Sequence, residues 1–179
     1  MCSQYFDHIW LMTRYPADTQ TVVNDNEIVI IGDPNGDLNS SLNLVAEDMA
    51  SIANLVAVIT ADLPLLRSDD LRRLLTSCED GNAVIAPSKD VGTSGILIPV
   101  ESCSAFREFH FAFGEKSFDK HVKAFSRANL NYRVVRTSGF IWDLDDVDDI
   151  EHILRDENNR LPVSLQKILD NLLKVDKNQ

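Results

Sequence analysis

The amino-acid sequence predicts a three-layer α/β domain with a mostly parallel sheet. Short apolar runs of strand length alternate with segments of helical periodicity. The runs are continuous, as in strands covered on both faces. No repeat, low-complexity segment or linker composition divides the chain, whose 179 residues and 44% hydrophobic content suit one ordinary core.

"IWLMT" (9–13) and "IVII" (28–31) read as the first strands, short and rich in branched residues. Leu38, Leu42, Val45, Met49 and Ile52 then recur at steps of four and three, the stripe of a helix packed on a sheet. "LVAVIT" (55–60) is the next strand. Ser68, with Asp69 and Asp70, is expected to cap a helix that turns Leu71, Leu74 and Leu75 inward. "AVIAP" (83–87), "GILIPV" (95–100), "YRVVR" (132–136) and "FIWDL" (140–144) complete the predicted strands, with helices over 117–129 and 146–155. After Pro162, Leu165, Ile168, Leu169, Leu172 and Leu173 outline a last helix. We therefore expect one unit over 1–155 and, over 156–179, a helical appendage of the same domain with a frayed end.

The net charge of −11, from 17 basic and 28 acidic residues without a basic stripe, argues against nucleic acid as a partner. Such a balance also repels nucleotide phosphates unless a divalent cation or a basic loop receives them. No apolar run approaches the roughly 18 residues of a membrane span, and "MCSQYFDHIW" lacks the pattern of a signal peptide, so no membrane partner and a cytoplasmic address are expected. Cys2, Cys78 and Cys103 lie far apart and read as reduced structural thiols. His8, His110, His121 and His152 lack metal-ligand spacing and read as core or surface packing, without a role in a site.

Ligands of such sheets bind beyond the carboxyl ends of the strands, where Asp62 falls after "LVAVIT", its backbone steadied by Pro64. Position alone leaves a site residue and a turn cap evenly matched. If "FIWDL" is a strand, Asp143 and Asp145 share a face roughly 6 to 7 Å apart, within reach of one magnesium ion, which takes one or two carboxylates and leaves its other positions to water and phosphates. Asp146, Asp148 and Asp149 fall where acids cap the following helix. "FGEKSF" (113–118) puts Gly114 and Ser117 at a helix start, suited to an anion or to an ordinary Ser117 N-cap. "DVGTSG" (90–95) is a ligand loop or a turn, and Asn39 in "GDPNGDLNSSLN" (32–43) is an N-cap or a reader of a base edge.

Taken in this order, "GDLNSSL", "ITADLPLL", "GTSGILIP", "FGEKSFDKH" and "FIWDLDDVDDI" resemble the 2-phospho-L-lactate guanylyltransferase family, whose relatives act on phosphoenolpyruvate or 3-phosphoglycerate in making coenzyme F-420. The likeness covers roughly residues 1–155. It implies a Rossmann-like nucleotidyltransferase fold of the nucleotide-diphospho-sugar transferase kind. It also implies GTP and magnesium, guanylyl transfer to the phosphate of a three-carbon phosphoacid, and release of pyrophosphate. By motif, Asp62, Asp143 and Asp145 match the catalytic metal carboxylates; Thr93, Gly114 and Ser117 match contacts to the acceptor; Leu38 and Asn39 match the side facing the nucleotide. A homodimer is left open.

The sequence departs from the pattern twice. "GTSG" stands where the family has Thr followed by Asn, which leaves the acceptor open among the three phosphoacids. The family's first strand and its Lys/Arg loop against the triphosphate have no counterpart before "CSQYFDHIWLMT", so the expected sheet lacks a central strand between "IWLMT" and "LVAVIT". Beside the guanylyltransferase stand two alternatives: an inactive fragment or nucleotide-binding remnant, and a nucleotidyltransferase for a molybdopterin-type or sugar-phosphate acceptor.

Overall fold

The structure, a computed structural model, describes residues 1–23, 28–33, 36–100, 103–155 and 161–176. Pro34 and Asn35 of the polar loop, the side chain of Cys103 and the last residues of the tail lie outside them. The elements run β1 (Ile9–Thr13), α1 (Pro16–Val22), β2 (Ile28–Gly32), α2 (Leu38–Ala50), β3 (Leu55–Ile59), α3 (Ser68–Thr76), β4 (Ala83–Pro87) and β5 (Thr93–Pro99). Then come α4 (Cys103–Glu108), α5 (Ser117–Arg127), β6 (Tyr132–Val134), α6 (Ser138–Ile141), α7 (Val147–Leu154) and α8 (Val163–Asp176).

Four strands form a mixed sheet in the order β3-β5-β4-β6. The short link 88–92 cannot cross over, so β5 returns antiparallel to β4 and also pairs antiparallel with β3, while β4 and β6 are parallel. Three of the four strands thus point one way. β1 and β2 pair in parallel as a separate two-stranded sheet. Among the described residues β1 and β3 do not pair with each other.

Period-two alternation is present inside the continuous apolar runs. Ala83, Ile85, Ile96 and Ile98 pack on one face of the sheet with Ala46 of α2 and Phe125 of α5. Val84, Ala86 and Leu97 pack on the other with Leu71 and Leu74 of α3 and Phe140 of α6. These two layers of helix around the sheet are the predicted three-layer architecture. A smaller cluster joins Leu65, after β3, to Ile150 and Ile153 of α7 and Leu169 of α8.

Several local expectations change. "FIWDL" is not a strand: its first residues belong to the helical turn α6, and 142–145 follow as an irregular segment. The turn seats Phe140, fully buried, against Gly95 and Ala86, and brings Gly139 so close to the Asp70 carboxylate that a Cβ there would overlap it. Tertiary fit outweighs the strand propensity of Phe, Ile and Trp. Ser68 is the first residue of α3, not its cap; Asp70 instead accepts from the Arg67 backbone N–H at 2.9 Å. Leu38 at the start of α2 and Ile52, two residues past its end, are exposed and Ala46 is buried, because the helix meets the sheet through its middle. On α8, Leu165, Leu169 and Leu173 face the cluster while Ile168 and Leu172 are exposed, as in a helix covered on one side only. Cys2 and Cys78 are free thiols. No described helix is long and apolar enough to cross a membrane.

Candidate active site

The carboxyl ends of β3 and β4 and the start of β5 lie at one edge of the sheet, since Pro87 pairs with Thr93 and the Thr60 N–H donates to the Ser94 carbonyl at 2.9 Å. Chain segments around 60–63, 88–92, 113–118 and 142–149 meet there. This is the edge at which open α/β sheets receive ligands.

Asp62 is exposed on the turn that follows β3, with Leu63 and Leu65 buried behind it. Its carbonyl accepts the Leu144 N–H at 3.0 Å, which lays the 142–145 segment beside it. Asp143 Oδ1 is buried without a hydrogen-bond partner among the described residues. Burial raises the Asp143 carboxyl above its ordinary value; the Asp145 and Asp62 carboxylates push the same way, while its own backbone N–H and Lys89 oppose them. Asp143 is therefore within electrostatic reach of the two other carboxylates named from sequence. The strand spacing used to pair Asp143 with Asp145 does not apply, since they stand on an irregular segment. Among the described residues, no three His, Cys, Asp or Glu side chains are gathered closely enough to hold one ion. The orphaned Asp143 oxygen, with two further carboxylates near enough to act on it, fits a divalent cation by charge.

Asp149, fully buried, organises this segment. Its Oδ2 accepts the Asp145 and Asp146 N–H groups, both at 3.0 Å, and its Oδ1 pairs with the Lys89 ammonium. Asp146 caps α7 by accepting the Asp149 N–H, so the expected capping role holds for both acids. Lys89 also lies 5.8 Å from the centre of the Trp142 ring, which stacks on His152. Lys89 and Asp149 were not named as site residues from sequence; Lys89 follows a strand end by the same rule that singled out Asp62.

The other side of the edge is lined with buried hydroxyls: Ser88, Thr93, Ser94 and Ser117. Gly92 approaches them so closely that a Cβ would run into Ser88 Oγ. Ser94 Oγ and Thr60 Oγ1 have no hydrogen-bond partner among the described residues. Ser117 is the first residue of α5; the cap is Lys116, in left-handed conformation. The Ser117 and Phe118 N–H groups are taken by the carbonyls of Gly114, at 3.0 Å, and Val91, at 3.1 Å. The anion site expected at this helix start is thus left to side chains and to the Gly114 turn, with φ of 111°.

Asn39 neither caps α2, a task of Asp37, nor offers a free amide. Its Oδ1 accepts the Phe113 N–H at 2.7 Å and its Nδ2 donates to the Phe113 carbonyl at 3.1 Å. One turn on, Asn43 Oδ1 accepts the Phe111 N–H at 2.9 Å, and the N–H between them, from Ala112, goes to His121 Nε2 at 2.9 Å. Side chains thus hold three successive N–H groups in front of Gly114. His121 also bonds Thr93, with Nδ1 3.0 Å from Oγ1. The sequence reading gave it no role, although its place four residues after Ser117 puts both on one helix face.

The chain matches the family described as Guanylyl transferase CofC like over residues 6–172, a span reaching into α8. It is 35% identical over 122 residues to a phosphoenolpyruvate guanylyltransferase of Roseiflexus castenholzii, covering 68% of this chain and 54% of that one. To a 2-phospho-L-lactate guanylyltransferase of Methanopyrus kandleri it is 32% identical over 93 residues, covering 52% of this chain and 46% of that one. The chain thus spans about half the length of these curated relatives. Among solved structures it is similar to a Desulfovibrio desulfuricans protein named for the nucleotide-diphospho-sugar transferases, with a TM-score of 0.70, 16% identity, and coverage of 93% of this chain and 76% of that one. It is also similar to a Mycobacterium tuberculosis protein solved as its manganese complex, with a TM-score of 0.57, 18% identity, and coverage of 83% and 78%. These likenesses establish a nucleotide-diphospho-sugar transferase fold, and with a family match over nearly its whole length, this chain belongs to the CofC-like guanylyl transferase family.

Proposed function

We propose that the chain serves guanylyl transfer from GTP to the phosphate of a three-carbon phosphoacid, namely 2-phospho-L-lactate, phosphoenolpyruvate or 3-phosphoglycerate, with pyrophosphate as leaving group, in the cytoplasmic synthesis of coenzyme F-420. The observation that carries this reading is the buried, unpartnered Asp143 oxygen, acted on by the Asp62 and Asp145 carboxylates, beside the hydroxyl-lined edge of the sheet.

In this reading the unpartnered Asp143 oxygen would receive a divalent cation, magnesium, with the Asp62 and Asp145 side chains turning in to complete its carboxylate set, and the bound ion would neutralise charge shared by the nucleotide phosphates and the incoming anion. Thr93 and Ser117 hydroxyls and the Gly114 turn hold the acceptor's carboxylate and phosphate. The acceptor phosphate is already an anionic nucleophile, so none of these residues has to remove a proton; their task is positioning. Leu38, exposed at the start of α2, faces the nucleotide, and Asn39 shapes that side by fixing Phe113. Lys89 and Asp149 hold the backbone from which Asp143 and Asp145 project.

Pyrophosphate release from GTP, measured with each phosphoacid in turn, tests this. One acceptor should dominate, and Asp62→Asn or Asp143→Asn should lower its rate by about 100-fold or more. Unchanged turnover in both variants would remove the metal-site assignment. A second reading, nucleotide binding without turnover, is favoured by the lack of a gathered three-ligand cluster among the described residues. It predicts GTP binding that magnesium does not strengthen, with no pyrophosphate from any acceptor.

A further inference from the structure

We propose that His121 is a positioning residue of the acceptor subsite, acting as the neutral Nδ1–H tautomer to turn the Thr93 hydroxyl into a dedicated donor. The inference rests on the reading above, in which Thr93 and Ser117 hold the acceptor. The tautomer follows from hydrogen-bond logic. The Ala112 backbone N–H can only donate, and it lies 2.9 Å from Nε2, so Nε2 carries the lone pair. The ring proton of a neutral imidazole is then on Nδ1, 3.0 Å from Thr93 Oγ1. Nδ1–H donates, Thr93 Oγ1 accepts, and the hydroxyl hydrogen of Thr93 is left to donate elsewhere.

A carboxylate or phosphate only accepts hydrogen bonds, so a hydroxyl already committed as acceptor to the protein is prepared for such an anion before it arrives. His121 stands on α5 one turn after Ser117 and bonds Thr93, which ties α5 to the start of β5. His121 therefore touches Thr93 directly and holds the segment leading into Gly114. Its surroundings hold the ring neutral: it is fully buried, with Phe113 at 4.9 Å, Phe109 at 6.1 Å and Phe111 at 6.5 Å between ring centres. Burial, with Lys120 adding to it, lowers its pKa to about 4. An imidazolium would set two N–H groups against each other at Ala112.

His121→Asn keeps an amide N–H near the Nδ1 position and gives up the Nε2 acceptor; His121→Gln reaches the Nε2 position and gives up the Nδ1 donor. Both remove one contact, so a shared packing cost cancels when they are compared. With the preferred phosphoacid, Thr93→Val and His121→Gln should each raise the acceptor KM about tenfold, the equivalent of one charge-assisted hydrogen bond. His121→Asn should return it to within about threefold of the starting protein, and the KM for GTP should stay constant throughout. An unchanged KM in Thr93→Val would overturn the acceptor-subsite reading. A raised KM in Thr93→Val with no difference between the two His121 variants would overturn the role of His121 alone. Nitrogen NMR of the intact chain at pH 7 supplies a readout that needs no turnover: a protonated Nδ1 and bare Nε2 are expected, and a protonated Nε2 or a cationic ring would sink the proposal.

Discussion

β4 and β5 are made of the same kind of apolar run as β1 and β2, yet the two pairs live in different surroundings. Every residue of β4 is buried, as are all but the last of β5, whereas no residue of β1 or β2 is, and Val29 is 50% exposed. The difference lies in neighbours. β4 and β5 each have a strand on both sides and helices over both faces, while among the described residues β1 and β2 pair only with each other, with α1 alongside. An apolar run thus reports what a strand is suited to, and the packing around it decides how much apolar area leaves water. Every group assigned to the metal and the acceptor also stands on the well-packed half, where backbone and rotamers are held firmly enough to prepare a site.

The largest test of this contrast is core truncation. Ile96→Ala in β5 should cost about 3 to 4 kcal/mol in denaturant unfolding, against less than about 1 kcal/mol for Val29→Ala in β2. Equal losses would mean that the two sheets are equally packed. Next comes acid. The lowered pKa of His121 makes a stabilising contribution that is complete above its ordinary value of 6.5 and disappears as pH falls toward about 4. It is worth roughly 3 kcal/mol, and His121→Phe should flatten that part of the stability profile.

Glycines give a smaller contrast. Gly139→Ala should destabilise by about 1 to 3 kcal/mol, because the new methyl meets the Asp70 carboxylate and, at 3.1 Å, Leu66 Cα. Gly32→Ala in β2 meets only Pro16 Cγ at 3.7 Å and should be neutral or slightly stabilising through the unfolded chain. Smallest is the effect at Asp143, whose sign is opposite to that of His121. Its raised folded-state value means that its contribution is present below the ordinary 3.8 and is lost as pH rises through that raised value. At neutral pH, Asp143→Asn should therefore raise Tm slightly without metal and remove any gain produced by magnesium or manganese, as read by thermal denaturation with and without each ion.

The location of the candidate site was legible in the order of the motifs. Asp62 at a strand end, Asp143 and Asp145 ahead of a helix, and Thr93, Gly114 and Ser117 in glycine-bearing turns all reach one edge of the sheet, because the strand ends of an α/β fold converge there. The reason given for pairing Asp143 with Asp145 did not survive, since "FIWDL" obeys the pocket around Phe140 instead of its own strand propensity. The task suggested for Asn39 also changed: a lone asparagine near a helix start shows neither its cap nor its distant partner, which lies at Phe113, 74 positions away.

By itself the sequence determined the alternation of strands and helices, the three-layer architecture, the acidic balance and the family motifs, all of which rest on local periodicity or on residue order. Tertiary structure alone decided which apolar runs are buried, the antiparallel course of β5, the clamp of Asp149 on the acidic segment, and the bond between His121 and Thr93. These depend on groups distant in the chain meeting at hydrogen-bonding range. A buried polar atom takes whichever partner the packing brings to it, because leaving it unpaired costs about 1 to 3 kcal/mol.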